Sequence, residues 1–194
     1  HSWQEGERVA ARGPFGHFSL VHHANQPLLL IGAGSGLTPM LSMLRWLHQR
    51  QETKVDVVFL QQAATPKDLL CREELALIDA DMPNLVHIDC VSSVPAGQSW
   101  SGARGLMSRP ALRTLVPDLA QRTVFCCGPE GFNELVRKIH KAEGGDPERY
   151  LTESFGSASQ AIQQKDVVAR EALSDGAHSI RLDGFEFRSE PQER

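Results

Sequence analysis

The run Leu28-Leu29-Leu30-Ile31 passes directly into Gly32-Ala33-Gly34-Ser35-Gly36, and Met40, Leu41, Leu44 and Leu47 then recur at helical spacing. A short aliphatic run is a buried strand, and a 3-4 spacing of apolar residues is one face of a helix. Glycines between the two let the chain reverse tightly and let other groups approach its backbone. The segment therefore reads strand, glycine turn, helix, a unit that belongs to sheets whose strands are joined by helical crossovers.

The same rhythm continues. Val55 to Leu60 predicts a second strand, followed by Thr65-Pro66-Lys67-Asp68 as a helix start and by Leu69, Leu70, Leu75 and Ile78 at helical spacing. Leu85 to Val91 predicts a third strand, Gly97 to Gly105 a loop, and Ser108-Arg109-Pro110 the opening of a short helix through Leu115. Thr123 to Cys127 is a fourth strand, ending in Gly128-Pro129 ahead of a helix marked by Phe132, Leu135, Val136 and Ile139, and Tyr150 to Phe155 is a fifth. Continuous apolar strands alternating with helices predict a parallel sheet covered on both faces. The expected fold is α/β, a five-stranded doubly wound domain over residues 28–155, with partial β segments at both ends. Around Gly13-Pro14 and Gly16, residues 1–23 read as β-turn-β. Residues 156–178 read as a polar, alanine-rich linker, and Ile180, Leu182, Phe185 and Phe187 alternate across Asp183-Gly184 as a hairpin.

Composition narrows the function. With 20 basic and 24 acidic residues in 194, the chain lacks the clustered positive charge of a nucleic-acid binder. No apolar run approaches the ~18–20 residues of a membrane span. Cys71, Cys90, Cys126 and Cys127 follow no zinc or iron-sulfur spacing, so no metal site is expected, and they suit a reduced, cytoplasmic protein. His22-His23 and His87 lack metal-spaced partners and read as ordinary polar side chains. The start at His1-Ser2, without an initiator methionine, reads as a cut edge or a scar of expression.

Two turns carry the candidate chemistry. Gly34-Ser35-Gly36-Leu37-Thr38-Pro39 opens a helix at the end of the first strand, where amides and the positive end of the helix dipole suit a pyrophosphate. It is neither the usual G-x-G-x-x-G fingerprint nor a P-loop, because Pro39 closes it and no Gly-Lys-Ser/Thr follows. Cys127-Gly128-Pro129-Glu130 closes the fourth strand on the same sheet edge, beside the crevice where strand order is expected to reverse and ligands bind.

Together with Gly13-Pro14-Phe15-Gly16-His17-Phe18 and Glu153-Ser154-Phe155, these motifs resemble the ferredoxin-NADP reductase superfamily, in particular the reductases that serve Rieske oxygenases and the hybrid-cluster protein. The resemblance spans residues 13–155. It implies that Gly34, Ser35, Gly36, Leu37, Thr38 and Pro39 hold the dinucleotide pyrophosphate, with Thr38 near the nicotinamide. It also implies that Cys127 lies beside the carbon that gives up hydride, acting through shape and not as a nucleophile, with Gly128, Pro129 and Glu130 around it. Thr38 and Cys127 are thus the candidate catalytic residues. Glu153 and Phe155 would border the flavin ring. Ala64 stands where NADPH-preferring relatives place a basic residue, so NADH is the expected cofactor.

On the same resemblance, residues 1–23 would be the end of a flavin-binding barrel, 24–155 the NAD-binding domain, 156–178 a linker and 179–194 the start of a plant-type ferredoxin domain. The Arg-x-Tyr-Ser flavin motif and the Cys-x4-Cys-x2-Cys cluster motif do not occur in the chain. FAD or FMN and a [2Fe-2S] centre are therefore expected of a longer protein, an NADH-dependent oxidoreductase whose partner is a Rieske oxygenase component or a hybrid-cluster protein. Two other readings stand beside it: a nicotinamide-binding module without turnover, and an S-adenosylmethionine methyltransferase. The second is disfavoured because strand two ends in Leu60-Gln61-Gln62 and not in an acid for the ribose hydroxyls.

Overall fold

A computed structural model describes residues 16–23, 25–155, 179–182 and 185–188. Residues 18–155 fall in one compact unit and the segment 179–188 in another. The first unit is built on six parallel strands: β1 (Leu28–Ala33), β2 (Val57–Ala63), β3 (Leu85–Val91), β4 (Ala103–Arg104), β5 (Thr123–Cys127) and β6 (Tyr150–Glu153). Their spatial order is β4-β3-β2-β1-β5-β6. The helices are α1 (Leu37–Gln49), α2 (Arg72–Asp81), α3 (Arg109–Leu115) and α4 (Glu130–Ala142).

The expected doubly wound parallel sheet is present with one strand more than expected. The extra strand is β4, two residues long, which pairs Cys90 with Ala103 and Val91 with Arg104 inside the predicted loop. So short a segment has no periodicity to read; Trp100 holds it by donating its indole N–H to the Ala103 carbonyl at 2.9 Å.

Alternation of side chains along each strand sends residues to two cores. Leu28, Leu30, Val57, Phe59, Phe125 and Cys127 pack with Met40, Leu44 and Leu47 of α1 on one face. Leu29, Ile31, Val58, Leu60, Val124 and Cys126 pack with Leu112, Val136 and Ile139 on the other. Burial on both faces is why β1 is wholly apolar and β5 apolar after Thr123, both free of the polar alternation of a one-sided sheet.

Helix entry also departs from expectation after β2. Thr65 and Asp68 form a reciprocal capping box, yet it closes only a single 3-10 turn, Pro66–Asp68. Helix α2 starts anew at Arg72, after Cys71 in the left-handed region at φ 52°. In the predicted β-turn-β, Phe18 and Leu20 are not in a strand: a 3-10 turn spans Leu20–His22, with the Ser19 hydroxyl accepting from the Val21 amide at 3.3 Å. The rest of that segment up to residue 15, and the linker 156–178, lie outside the described residues. In the second unit, β7 (Ser179–Leu182) and β8 (Phe185–Arg188) pair antiparallel as the alternation predicts, Ser179 opposite Arg188.

Among the described residues no helix is long and apolar enough to cross a membrane.

Candidate functional site

From β1 the chain moves outward through β2 and β3 to β4, then returns to place β5 on the other side of β1. The order reverses between β1 and β5, so their carboxyl ends cannot both be covered by one crossover, and a crevice opens there. It is a cleft of about 600 Å³, within the usual range for small-ligand sites. One wall is Ala33, Gly34 and Ser35; the other is Gly128, Pro129, Glu130 and the α4 residues Asn133, Glu134 and Arg137; Thr152, Ser154 and Phe155 close the end by β6.

The walls meet through backbone. A Cβ on Gly36 would overlap the carbonyl of Cys127 and lie 2.7 Å from the Gly128 nitrogen. Gly128 in turn lies so close to Ala33 that a Cβ there would sit 3.0 Å from the alanine methyl. Gly34 serves differently: its φ of +56° makes the turn, and a Cβ there would meet nothing within 4 Å, so its backbone is open to a ligand.

Two helix starts border this cleft. The 3-10 turn Gly34–Gly36 leads into α1, and neither has a side-chain cap. Pro129 precedes α4, again with no side-chain cap, and Glu130 adds an acid to its first turn. Helix-terminal amides without an internal acceptor are donors for an anion.

The structure brings Gly34, Ser35, Gly128, Pro129, Glu130 and Phe155 to the cleft as lining residues. Gly36 and Leu37 are buried beneath it, Leu37 among the core residues under α1. Thr38 is exposed and donates its hydroxyl to the Ser35 carbonyl at 2.9 Å, fixing the turn; Pro39 is half-buried in the first turn of α1, where its missing N–H costs no helix bond. The Cys127 side chain is fully buried, and burial, reinforced by Glu153, pushes its thiol up to about 11. It stays protonated at neutral pH, as a packing role requires and a nucleophilic one would not. Glu153 is exposed, and Phe155, half exposed, presents an aromatic ring at the cleft's end.

Sequence reading missed Asn133, Glu134 and Arg137. With Glu130 they fall at i, i+3, i+4 and i+7, the stripe that α4 turns toward the cleft, and that spacing was the available signal. Arg137 also lies over the Tyr150 ring, 5.7 Å from its centroid.

At the carboxyl end of β2, Gln61 bonds both ways to the Leu70 backbone and Gln62 is buried. Ala64 is exposed, the Asp68 carboxylate accepts from Thr65, and Arg72 lies over the Trp100 ring at 6.0 Å. The nearby charge is thus an acid in place and an arginine engaged elsewhere, a poor reception for an added phosphate.

A parallel sheet with its cleft at the reversal point, two uncapped helix starts and a glycine turn open to an anion define a dinucleotide-binding α/β domain. Residues 30–138 match the family described as the oxidoreductase NAD-binding domain, and the chain belongs to that family, within the ferredoxin reductase-like superfamily. It is 34% identical over 161 residues to the glycine betaine monooxygenase reductase subunit of Chromohalobacter salexigens, covering 82% of this chain and 44% of that protein. It is 39% identical over 154 residues to the stachydrine N-demethylase reductase subunit of Rhizobium meliloti, covering 78% and 42%. The chain thus spans less than half the length of these curated relatives. Among solved structures, the Amycolatopsis cytochrome P450 reductase GcoB superposes with TM-score 0.64 at 25% identity, covering 78% of this chain and 46% of that one. The FAD/NAD-binding domain of a Vibrio cholerae nitric oxide dioxygenase gives 0.63 at 27%, covering 73% and 56%.

Proposed function

We propose that this chain is the NADH-binding part of a flavin-dependent reductase that passes electrons from NADH through flavin and a [2Fe-2S] centre to an oxygenase component. The observation that carries the reading is the contact of Gly36 with the Cys127–Gly128 peptide, which brings two glycine turns together beside one cleft of about 600 Å³. Two relatives named as reductase subunits of a monooxygenase and a demethylase support an oxygenase as acceptor, ahead of a hybrid-cluster protein. The flavin, FAD in keeping with the FAD/NAD-binding neighbour, would be held largely by a barrel that residues 1–23 complete, and the cluster by a ferredoxin domain that begins at the β7–β8 hairpin. Four free thiols suit the reducing cytoplasm.

The residues present fit the nicotinamide dinucleotide. Amides of the Gly34–Gly36 turn and of α4 are placed to bind its phosphates, and Ser35 adds a hydroxyl. Thr38 locks the first turn, and Gly128 lines the cleft with Cys127 buried directly behind it, where its bulk would support the seat of the nicotinamide. Glu153 and Phe155 would border the side from which a flavin ring approaches, Phe155 presenting its ring at the end of the cleft. When bound, NADH supplies the hydride and flavin divides its electron pair into single electrons. The protein's part is orientation, holding donor and acceptor within about 3–3.5 Å.

Cys127→Ala in the flavin-bearing protein tests this. Hydride transfer measured by stopped-flow flavin bleaching is expected to slow about tenfold, with NADH affinity changed less than about twofold. A loss confined to affinity would overturn the assigned role of Cys127. Failure of the unaltered protein to oxidise NADH would overturn the function itself.

A further inference from the structure

The β5–β6 ladder stops at the pair Cys127 and Glu153. Beyond it the two strands part, and the gap between them is the β6 end of the cleft. Past a final rung, backbone carbonyls lose their ladder partners and need another donor. Here one side chain serves both. Asn133, 4% exposed on the first turn of α4, donates through Nδ2 to the Gly128 carbonyl at 3.2 Å and to the Glu153 carbonyl at 3.1 Å. Its Oδ1 accepts from the buried Cys126 thiol at 3.4 Å, and its own carbonyl accepts from the Tyr150 hydroxyl at 2.7 Å.

The partners fix which way the amide faces, because two of them are carbonyls that can only accept. They also fix the residue type. Aspartate has no protons to give and would set its charge against two carbonyl oxygens; serine has one donor for two acceptors; leucine leaves both carbonyls orphaned. An orphaned buried carbonyl costs about 1–3 kcal/mol, so each such change is relieved by movement of the turn or of the strand end.

We propose that Asn133 is a positioning residue that sets the width of the cleft at its β6 end, and with it the seat of the nicotinamide half of the ligand. The proposal rests on the dinucleotide reading above. On the opposite side the spacing is set by Gly36 against the Cys127–Gly128 peptide, a backbone-to-backbone contact in which the Asn133 side chain takes no part. The two halves of the ligand therefore respond separately: the adenosine and pyrophosphate half to the glycine turns, the nicotinamide half to Asn133.

The test uses the 194-residue chain with NAD+ and with ADP-ribose, which lacks only the nicotinamide. For Asn133→Ala and Asn133→Asp, titration should show NAD+ affinity lowered about fivefold to tenfold and ADP-ribose affinity changed less than about twofold, the size expected for losing one or two buried hydrogen bonds. Tyr150→Phe removes a bond to the backbone of Asn133 and leaves its side chain in place. It should lower the thermal midpoint and leave both affinities within about twofold. In the unaltered chain, the Asn133 side-chain amide resonances should be protected from exchange and should shift with NAD+ but not with ADP-ribose; this reading holds even where a variant fails to fold. Equal losses for both ligands, no loss for either, or side-chain resonances indifferent to NAD+ would overturn the role of Asn133. An unaltered chain that bound neither ligand would instead overturn the dinucleotide reading.

Discussion

Gly34 and Gly36 stand two positions apart and are required for opposite reasons. Gly34 sits at φ +56° in open space, so alanine there meets only the strain of a left-handed conformation, about 1–2 kcal/mol. Gly36 has an ordinary helical φ of −63°, so conformation is not its constraint; the Cys127 carbonyl occupies the place of its Cβ. The obstacle is backbone and cannot rotate away, so Gly36→Ala must push the two turns apart. Overpacking of this kind costs about 1–3 kcal/mol. Gly36→Ala should lower the urea midpoint and, because the two turns that wall the cleft are pushed apart, cut NADH affinity by more than about tenfold, whereas Gly34→Ala should lower the midpoint with a smaller loss of binding. Equal losses of affinity for the two variants would show that the contact between turns does not shape the site. The turn itself was legible as a phosphate site, but the reason for its last glycine was not. That reason lies 91 residues further along, in a peptide that only the fold brings near.

Helix α4 carries cleft residues on its first turns and a buried titratable group on its last. His140 is 1% exposed, its ring lies over Gly145 and beside Tyr150, and Nε2 has no hydrogen-bond partner. Burial, with the Arg149 charge adding to it and Asp146 opposing, holds its pKa below the ordinary 6.5. The folded protein therefore leaves His140 neutral at a pH where the unfolded chain takes up a proton. Stability from this residue is complete above about pH 6.5 and is lost as pH falls from there toward the depressed folded value, by up to about 1.4 kcal/mol per pH unit. Urea unfolding between about pH 7.5 and 5.5 should show this decline, and His140→Leu, which cannot titrate, should flatten it; an unchanged slope would assign the effect to other groups. Elements were legible where periodicity is long. The apolar spacing of α4 and the buried runs of β1 and β5 are plain in the sequence, because a face buried against a sheet is mostly apolar. Strand β4 was not, since two residues have no period, and the start of α2 was displaced because Cys71 takes a left-handed conformation that no local signal announces. The polar stripe of α4 was not legible as part of the site, because Asn133 finds its partners only after β6 has come alongside β5.

At the scale of the molecule, the cleft joins parts of the chain that are distant in sequence: the end of β1, the start of α4 and the end of β6. A ligand that bridges them binds only the folded state, so it stabilises by mass action, about 2.7 kcal/mol at a hundredfold excess over its dissociation constant. For a domain of this size that is a rise of several degrees in thermal midpoint. On the dinucleotide reading proposed above, the adenosine end of such a ligand would run beyond the lined cleft along the strand ends toward β2, the neighbour of β1 on the side away from β5. There Ala64 is exposed, the Asp68 carboxylate is fixed by Thr65, and Arg72 is drawn toward Trp100. An added 2′-phosphate would bring its charge to an acid and would have to draw Arg72 away from Trp100 or order the exposed Lys67 side chain. NADH should therefore raise the midpoint more than NADPH at equal concentration, with an affinity ratio of about tenfold or greater, corresponding to about 1.4 kcal/mol. Replacing Ala64 with arginine supplies the missing fork for a phosphate and should narrow or reverse that ratio. Equal shifts for the two cofactors in the unaltered chain would place the ribose away from β2 and overturn this assignment of the cleft's far end.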